Sequence, residues 1–205
     1  MANKIRYGIR NVKYAIWDAT NSTYGTPKAM PGAVSLSLSR EGGDSSDFYA
    51  DDGIYFTFAG TNGGYSGDLT LARITDEVRR DLLGEVADAG TGVQFETTDS
   101  AQIQFALICE MQGDQNPIGF VFYNCVASRP EISANTKNES PAVDTDALNL
   151  RIAAQQFTHL GEQKNFVQGH IEKTADNTAK FTAFFNAVVT PTASAKGGLD
   201  VRDFH

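Results

Sequence analysis

Long apolar runs are missing from this chain. No stretch approaches the ~20 consecutive apolar residues of a membrane-spanning helix. The opening Met-Ala-Asn-Lys-Ile-Arg-Tyr lacks the apolar core of a secretory signal, so folding in a cytoplasm is expected. Cysteine is scarce: only Cys109 and Cys125 occur. On a hairpin turning at 113–116, Cys109 would face Phe120 and Cys125 would face Gln104. That offset separates the thiols by ~16 Å, too far for a disulfide, so buried free thiols are expected. The three histidines, His159, His170 and His205, show no metal-ligand spacing. Basic residues vanish between Arg40 and Arg73, an interval holding Glu41, Asp44, Asp47, Asp51, Asp52 and Asp68. Affinity for nucleic acid comes mainly from Lys and Arg neutralising phosphates, so this stretch is unsuited to gripping a polyanion.

What remains is dominated by two-residue alternation, the period of half-buried strands. Ile5, Tyr7 and Ile9 alternate with Lys4, Arg6 and Arg10; the pattern then restarts one step out of phase at Val12, Tyr14 and Ile16. Such a slip predicts a bulge near Arg10–Asn11. Lys4, Arg6, Arg10 and Lys13 form a basic stripe, either a solvated strand face or a contact for an acidic patch on another subunit. Val34, Leu36 and Leu38 alternate with Ser35, Ser37 and Ser39, a strand with one side free of charge. Ile54, Phe56 and Phe58 share one side of a further strand. Together, 33–59 read as a long hairpin with an acidic, flexible loop over 40–52.

Gly63 and Gly64 supply a turn, after which Leu69 and Leu71 resume the apolar face. Thr75 is the expected N-cap of a short helix, with Asp76 and Glu77 in its first turn and Gly84 as its stop. Val78 and Leu82 share one helical face. Residues 93–97 give a short strand, and 103–109 and 117–126 give two long ones, the last apolar on both sides and therefore central. The connection 128–147 is long and polar. Leu148, Leu150 and Ile152 begin another strand, and 165–173 with 180–189 predict a last hairpin. The fold class is mainly β: a β-sandwich or barrel with one short flanking α-helix, in a single domain over 1–205 whose last residues, 190–205, form a flexible tail.

Several of these stretches also carry a family resemblance. Phe48-Tyr49-Ala50-Asp51-Asp52 with its aromatic strand, Gly67-Asp68-Leu69, and the helix ending Asp81-Leu82-Leu83-Gly84 form one ordered set. Phe105-Ala106-Leu107 to Glu110, Gly113-Asp114, Phe122-Tyr123-Asn124-Cys125, Arg129-Pro130 and Thr136-Lys137 form a second. In this order they resemble the major tail protein of long-tailed, non-contractile phages of Gram-positive bacteria, over residues 4–150. The last third resembles that family only in being β-rich.

The resemblance implies a tail-tube-like β-sandwich. Hexameric rings of it stack into the conduit through which DNA is ejected. It implies a location in the virion tail after assembly in the host cytoplasm. The implied partners are further copies of the chain, tape-measure and tail-terminator proteins, and DNA passing without specific binding. The hairpin 33–59 and helix 75–83 would meet ring neighbours, and loop 40–52 the adjacent ring. Glu41, Asp44, Asp47, Phe48, Tyr49, Asp51 and Asp52 are the candidate inter-subunit residues. Phe48 and Tyr49 also stand out as loop aromatics beside acids, a type that anchors protein contacts. Ser35, Ser37 and Ser39 are the candidate lumen-facing residues, from their charge-free alternation.

Reactive chemistry is not evident. Gly64-Tyr65-Ser66-Gly67 resembles a serine elbow, but Asp68 stands where a glycine is needed and strands flank it on both sides. The aspartates of 44–52 miss the spacing of a calcium-binding loop. No catalytic residue, metal or cofactor is expected. Rival readings are a tube protein of a phage-derived bacteriocin or secretion apparatus, and a carbohydrate-binding β-sandwich using its loop aromatics.

Overall fold

The computed structural model describes residues 3–136 and 143–192. Strand β1 (Arg6–Asp18) is followed by the short β2 (Thr23–Tyr24) and β3 (Lys28–Ala29), then by β4 (Ala33–Glu41). Strands β5 (Ser46–Ala50) and β6 (Gly53–Phe58) precede β7 (Gly64–Leu71) and helix α1 (Asp76–Leu83). Short β8 (Val86–Ala87) and β9 (Gln94–Phe95) lead to the two long strands, β10 (Gln104–Gly113) and β11 (Ile118–Ser128). The described chain ends with β12 (Asp146–Ile152), β13 (Gln155–His159), β14 (Glu162–Phe166), β15 (Gln168–Glu172) and α2 (Thr178–Ala183). The fold is mainly β, as the alternation predicts.

Nine strands join one antiparallel sheet in the order β2-β1-β10-β11-β12-β7-β4, with β3 beside β1 and β15 beside β11. The sheet forks along β11. Its first half, Ile118–Phe122, pairs with β15, and its second half, Cys125–Ser128, pairs with β12. Asn124 marks the fork with a left-handed φ of 46°. The same irregularity moves Cys125 opposite Phe105 instead of Gln104, whereas Cys109 faces Phe120 as expected. Both thiols are buried and free, and burial pushes that of Cys109 up to about 12.

Alternation on the central strands gives the sheet two apolar faces. One holds Phe105, Leu107 and Cys109 of β10 with Phe120 and Phe122 of β11, and is closed by Ile74, Val78 and Leu82 at α1. The other holds Ala106, Ile108, Val121 and Tyr123, covered by Phe181, Phe184 and Phe185 at α2. Gly119 permits that cover: a Cβ there would lie 3.0 Å from the Phe184 ring.

The helix predicted after Ile74 forms with the predicted ends. The Thr75 hydroxyl accepts from Val78 N, and Gly84 closes the helix at φ 71° with its N–H on Arg79 O. Asp81 ties α1 to the sheet. Its carboxylate accepts from Tyr14 Oη at 2.8 Å and from Lys28 Nζ at 2.6 Å.

Four expectations are corrected. First, β4 pairs with β7, not with β6, so 33–59 is not one hairpin. Strands β5 and β6 form a separate two-stranded unit set between β4 and β7, and the expected loop 40–52 contains the end of β4, a turn and β5. Second, Val34 is exposed while Leu36 and Leu38 pack on the core, because a register shift between Ala33 and Ser35 makes Val34 an extra residue. Third, 180–189 is not a strand. Asn177 closes a turn by accepting from Thr174 N and donating to Glu172 O, and Phe181, Phe184 and Phe185 then bury on one helical side. The last hairpin is β13–β14, turning at Leu160 and Gly161. Fourth, the strand expected over 93–97 is only β9. The slip in β1 is present, with Asn11 at φ 51° and a register shift between Arg10 and Lys13. The tail expected over 190–205 lies, beyond residue 192, outside the described residues.

The Asp81 contact sets a pH dependence. Burial raises its pKa, but the hydrogen bonds from Lys28 and Tyr14 outweigh burial and leave it below the ordinary carboxylate value. A folded pKa below the unfolded one adds stability above the unfolded pKa and loses it as pH falls through the folded value. Asp81→Asn should therefore cost about 1 kcal/mol at neutral pH, with the difference from the parent shrinking below about pH 4. Urea denaturation at both pH values checks this.

Candidate assembly surface

The β5–β6 unit is an arm. Its strands pair with each other and with no other strand among the described residues. Asp51 and Asp52 both take left-handed φ, 52° and 61°, and Gly53 follows. Two consecutive positive φ values define the tight hairpin turn whose twist suits flanking strands, and aspartate tolerates that conformation. At the base, Thr61 N donates to Gly43 O at 3.0 Å and Gly63 N to Glu41 O at 2.8 Å. Along the arm, Thr57 Oγ1 donates to Asp47 at 2.6 Å.

The arm leaves apolar surface in water on both sides. Phe48 is 55% exposed, Tyr49 64%, Tyr55 73% and Phe56 56%; Ile54 and Phe58 are similar. Some of this surface is shared within the arm, with Phe48 edge-on to Tyr55 and Phe56 edge-on to Phe58. None of it reaches either core. Fully burying one such side chain is worth about 1.5–3 kcal/mol, so the six together, spread over both faces of the arm, are a large unspent apolar surface and a candidate for docking.

The candidate inter-subunit residues distribute along this arm. Glu41 ends β4 and accepts from the Ser66 hydroxyl. Asp44 lies between β4 and β5, paired with Arg40 at 3.1 Å. Asp47, Phe48 and Tyr49 are in β5, and Asp51 and Asp52 form its tip. All are exposed. Ile54, Phe56 and Phe58 alternate as core residues do, yet stand outside the core. The one hint was composition: Tyr55 and Phe56 are adjacent, so both faces of the strand are apolar with no buried neighbour to match.

Ser35, Ser37 and Ser39 point away from the core and are exposed. They belong to a wider polar face. Across β4, β7 and β12 the rows read Ser35–Thr70–Ala147, Ser37–Asp68–Asn149 and Ser39–Ser66–Arg151. This face lies on the side of the sheet that α2 covers farther along, at β10 and β11. Here the alternate residues turned inward are Leu36, Leu69 and Leu148, so the sheet is apolar on one side and wet on the other.

The sheet also keeps unpaired margins. Among the described residues, β4 pairs only with β7, β15 only with β11, and Arg6–Arg10 of β1 only with β10. The curl of the sheet brings β4 near β1 without hydrogen bonding between them. Of the basic stripe, Arg6 lines this opening. Arg10 is paired to buried Glu110 at 2.5 Å, and Lys13 Nζ donates to Phe185 O. Arg6 stacks 5.9 Å from the Phe120 ring centre.

Ser66 and His170 are placed apart in role. The Ser66 hydroxyl is engaged by Glu41, and His170 packs against Phe120 on β15. Among the described residues, no three His, Cys, Asp or Glu side chains converge as a metal site requires. No helix of the described residues is long and apolar enough to cross a membrane. No protein-family profile matches the chain, and no curated protein matches it in sequence.

An arm that contributes nothing to its own core should be free to change. Replacing Tyr55 and Phe56 together by serine should leave the unfolding free energy of the dilute protein within about 0.5 kcal/mol of the parent. If the arm joins copies of the chain, as the resemblance implies, the same pair of changes should abolish concentration-dependent association in sedimentation velocity.

Proposed function

We propose that the chain is a self-assembling tube protein of a virion tail, stacking in rings around a conduit for DNA. The observation that carries this reading is the exposed arm: six large apolar side chains held in ordered β structure, more than half exposed and outside both cores of the described residues. Isolated two-stranded hairpins are marginal in water, so such an arm gains its full stability only against another surface. The unpaired margins suit the same role, because a strand edge is completed by a neighbouring copy at low cost. The polar face of β4, β7 and β12 suits a lumen. Its only charges in the nine positions above are Asp68 and Arg151, which offers a polyanion little to hold. Passing DNA, tape-measure and tail-terminator proteins are then the further partners, and no cofactor is needed.

A carbohydrate-binding reading has a groove of about 320 Å³ beside Trp17 and Tyr24 to rest on. There the two rings meet edge to face at 4.7 Å, inclined at 63°, and so do not lie side by side as one flat stacking platform.

Electron microscopy of the purified chain tests the proposal directly: rings or tubes are expected, and a monomer at all concentrations overturns it. The base of the arm defines a clean deletion, since Gly43 and Gly60 already lie in contact. Removing 44–59 should leave a cooperatively folding monomer that forms no tubes. Within assembled particles, Ser37→Lys should slow DNA release without preventing assembly; unchanged release kinetics would remove Ser37 from the lumen.

A further inference from the structure

The opening between β1 and β4 is the second unusual surface. It is a groove of about 420 Å³ with Ile9, Leu36 and Met111 inside and Tyr7 and Val34 at its rim. Tyr7 and Val34 are each 54% exposed. Both of its walls are strand edges without backbone partners among the described residues, so the groove offers hydrogen-bonding groups as well as apolar area. Its β1 wall, which contributes Arg6, comes from a basic stretch, with Asp114 accepting from Lys4 N at the start of that stretch. From Asn3 to Trp17 the chain carries Lys4, Arg6, Arg10 and Lys13 and no acid. Arg10 is spent on Glu110, whereas Arg6 and Lys4 form no ion pair among the described residues.

The arm is the complement in each respect. It is apolar on both faces, its strand edges are unpaired, and it lies within an interval of six acids and no base. It does not fill the groove of its own chain, since its aromatic side chains are exposed. The two features also sit at different ends of β4. The groove opens at Val34–Leu36, and the arm departs beyond Glu41, about 16 Å along the strand from Leu36.

We infer that the β1–β4 groove is the receptor for the β5–β6 arm of a second copy of the chain. This rests on the self-assembly reading above and adds the site to which the arm binds. Because donor and receptor are different surfaces, the contact is head to tail and repeats, where a self-complementary patch would stop at a dimer. Aromatic side chains of the arm enter between Tyr7 and Val34, and Asp51 and Asp52 come to Arg6 and Lys4. Opposite charge at the rim steers the encounter, and apolar burial holds it.

The test uses two full-length variants, Tyr55→Cys on the arm and Tyr7→Cys at the groove, purified separately and mixed. The native thiols are buried, so a short bis-maleimide should report only the new ones. A covalent dimer is expected in the mixture and in neither variant alone. Adding Arg6→Glu to the groove variant should lower the yield about tenfold, and Asp51→Lys with Asp52→Lys on the arm variant should restore it. Cross-linking within the Tyr55→Cys variant alone, or tubes that form with no mixed cross-link, would overturn the groove as receptor while leaving self-assembly intact. A parent chain that stays monomeric by sedimentation, with no cross-link, would overturn both.

Discussion

The structure depends on where the sheet is apolar on both faces and where it is apolar on one. Along β10 and β11 the two alternating sets are both hydrophobic, so both sides must be covered, and α1 and α2 with their flanking residues do so. Toward β12, β7 and β4 one set changes to Ser, Thr, Asn and Asp, and cover on that side becomes unnecessary. A strand's period of two makes this change absolute: no side chain there can serve both faces. A closed core and a broad wet surface thus come from one sheet. Nothing in this arrangement calls for a cleft, and the described residues assemble no reactive cluster of metal-ligand type.

Against that frame the arm is costly in one respect and economical in another. Leaving six large apolar side chains in solvent forgoes roughly 1.5–3 kcal/mol apiece. Ordering them beforehand reduces what a later contact must spend. Fixing a residue's backbone costs about 1–2 kcal/mol, and here the Asp51-Asp52 turn, the Thr57–Asp47 bond and the clamp at Gly43–Thr61 have already fixed it. A loose acidic loop with the same aromatics would bind more weakly by that difference. In the proposed assembly the acids would keep arms apart from one another, since two tips carrying Asp51 and Asp52 repel, and so would favour docking on a different, basic surface.

Legibility followed the range of the interaction. Contacts local in sequence could be read directly: the Thr75 cap, the Gly84 stop, the bulge at Asn11 and the pairing of Cys109 with Phe120 each depend on spacing within one or two elements. The serine face was legible because alternation needs no partner to be identified. Illegible features were those decided by distant competition. Whether Ile54, Phe56 and Phe58 are core depends on which strand lies beside β4, and β7 takes that place through a register running from Ala33–Leu71 to Glu41–Gly64. The pattern Phe181, Phe184, Phe185 fits a helix as well as an irregular strand, and the Asn177 turn decides it through bonds to Thr174 and Glu172.

That competition for β4 explains why the arm exists at all. Residues 64–71 match β4 with Leu69 and Leu71 inward and Ser66, Asp68 and Thr70 outward, so pairing there satisfies both faces at once. Residues 53–58 cannot do so: an apolar Tyr55 beside Phe56 would place an aromatic ring on the polar side in any register. Exclusion from the sheet is therefore written into β6 itself, and its one strand partner among the described residues is β5, which is apolar at Phe48 and Tyr49 in the same mismatched way. A segment unfit for its own sheet, yet ordered, acidic and apolar on both sides, is suited to a surface that the chain itself leaves open between β1 and β4.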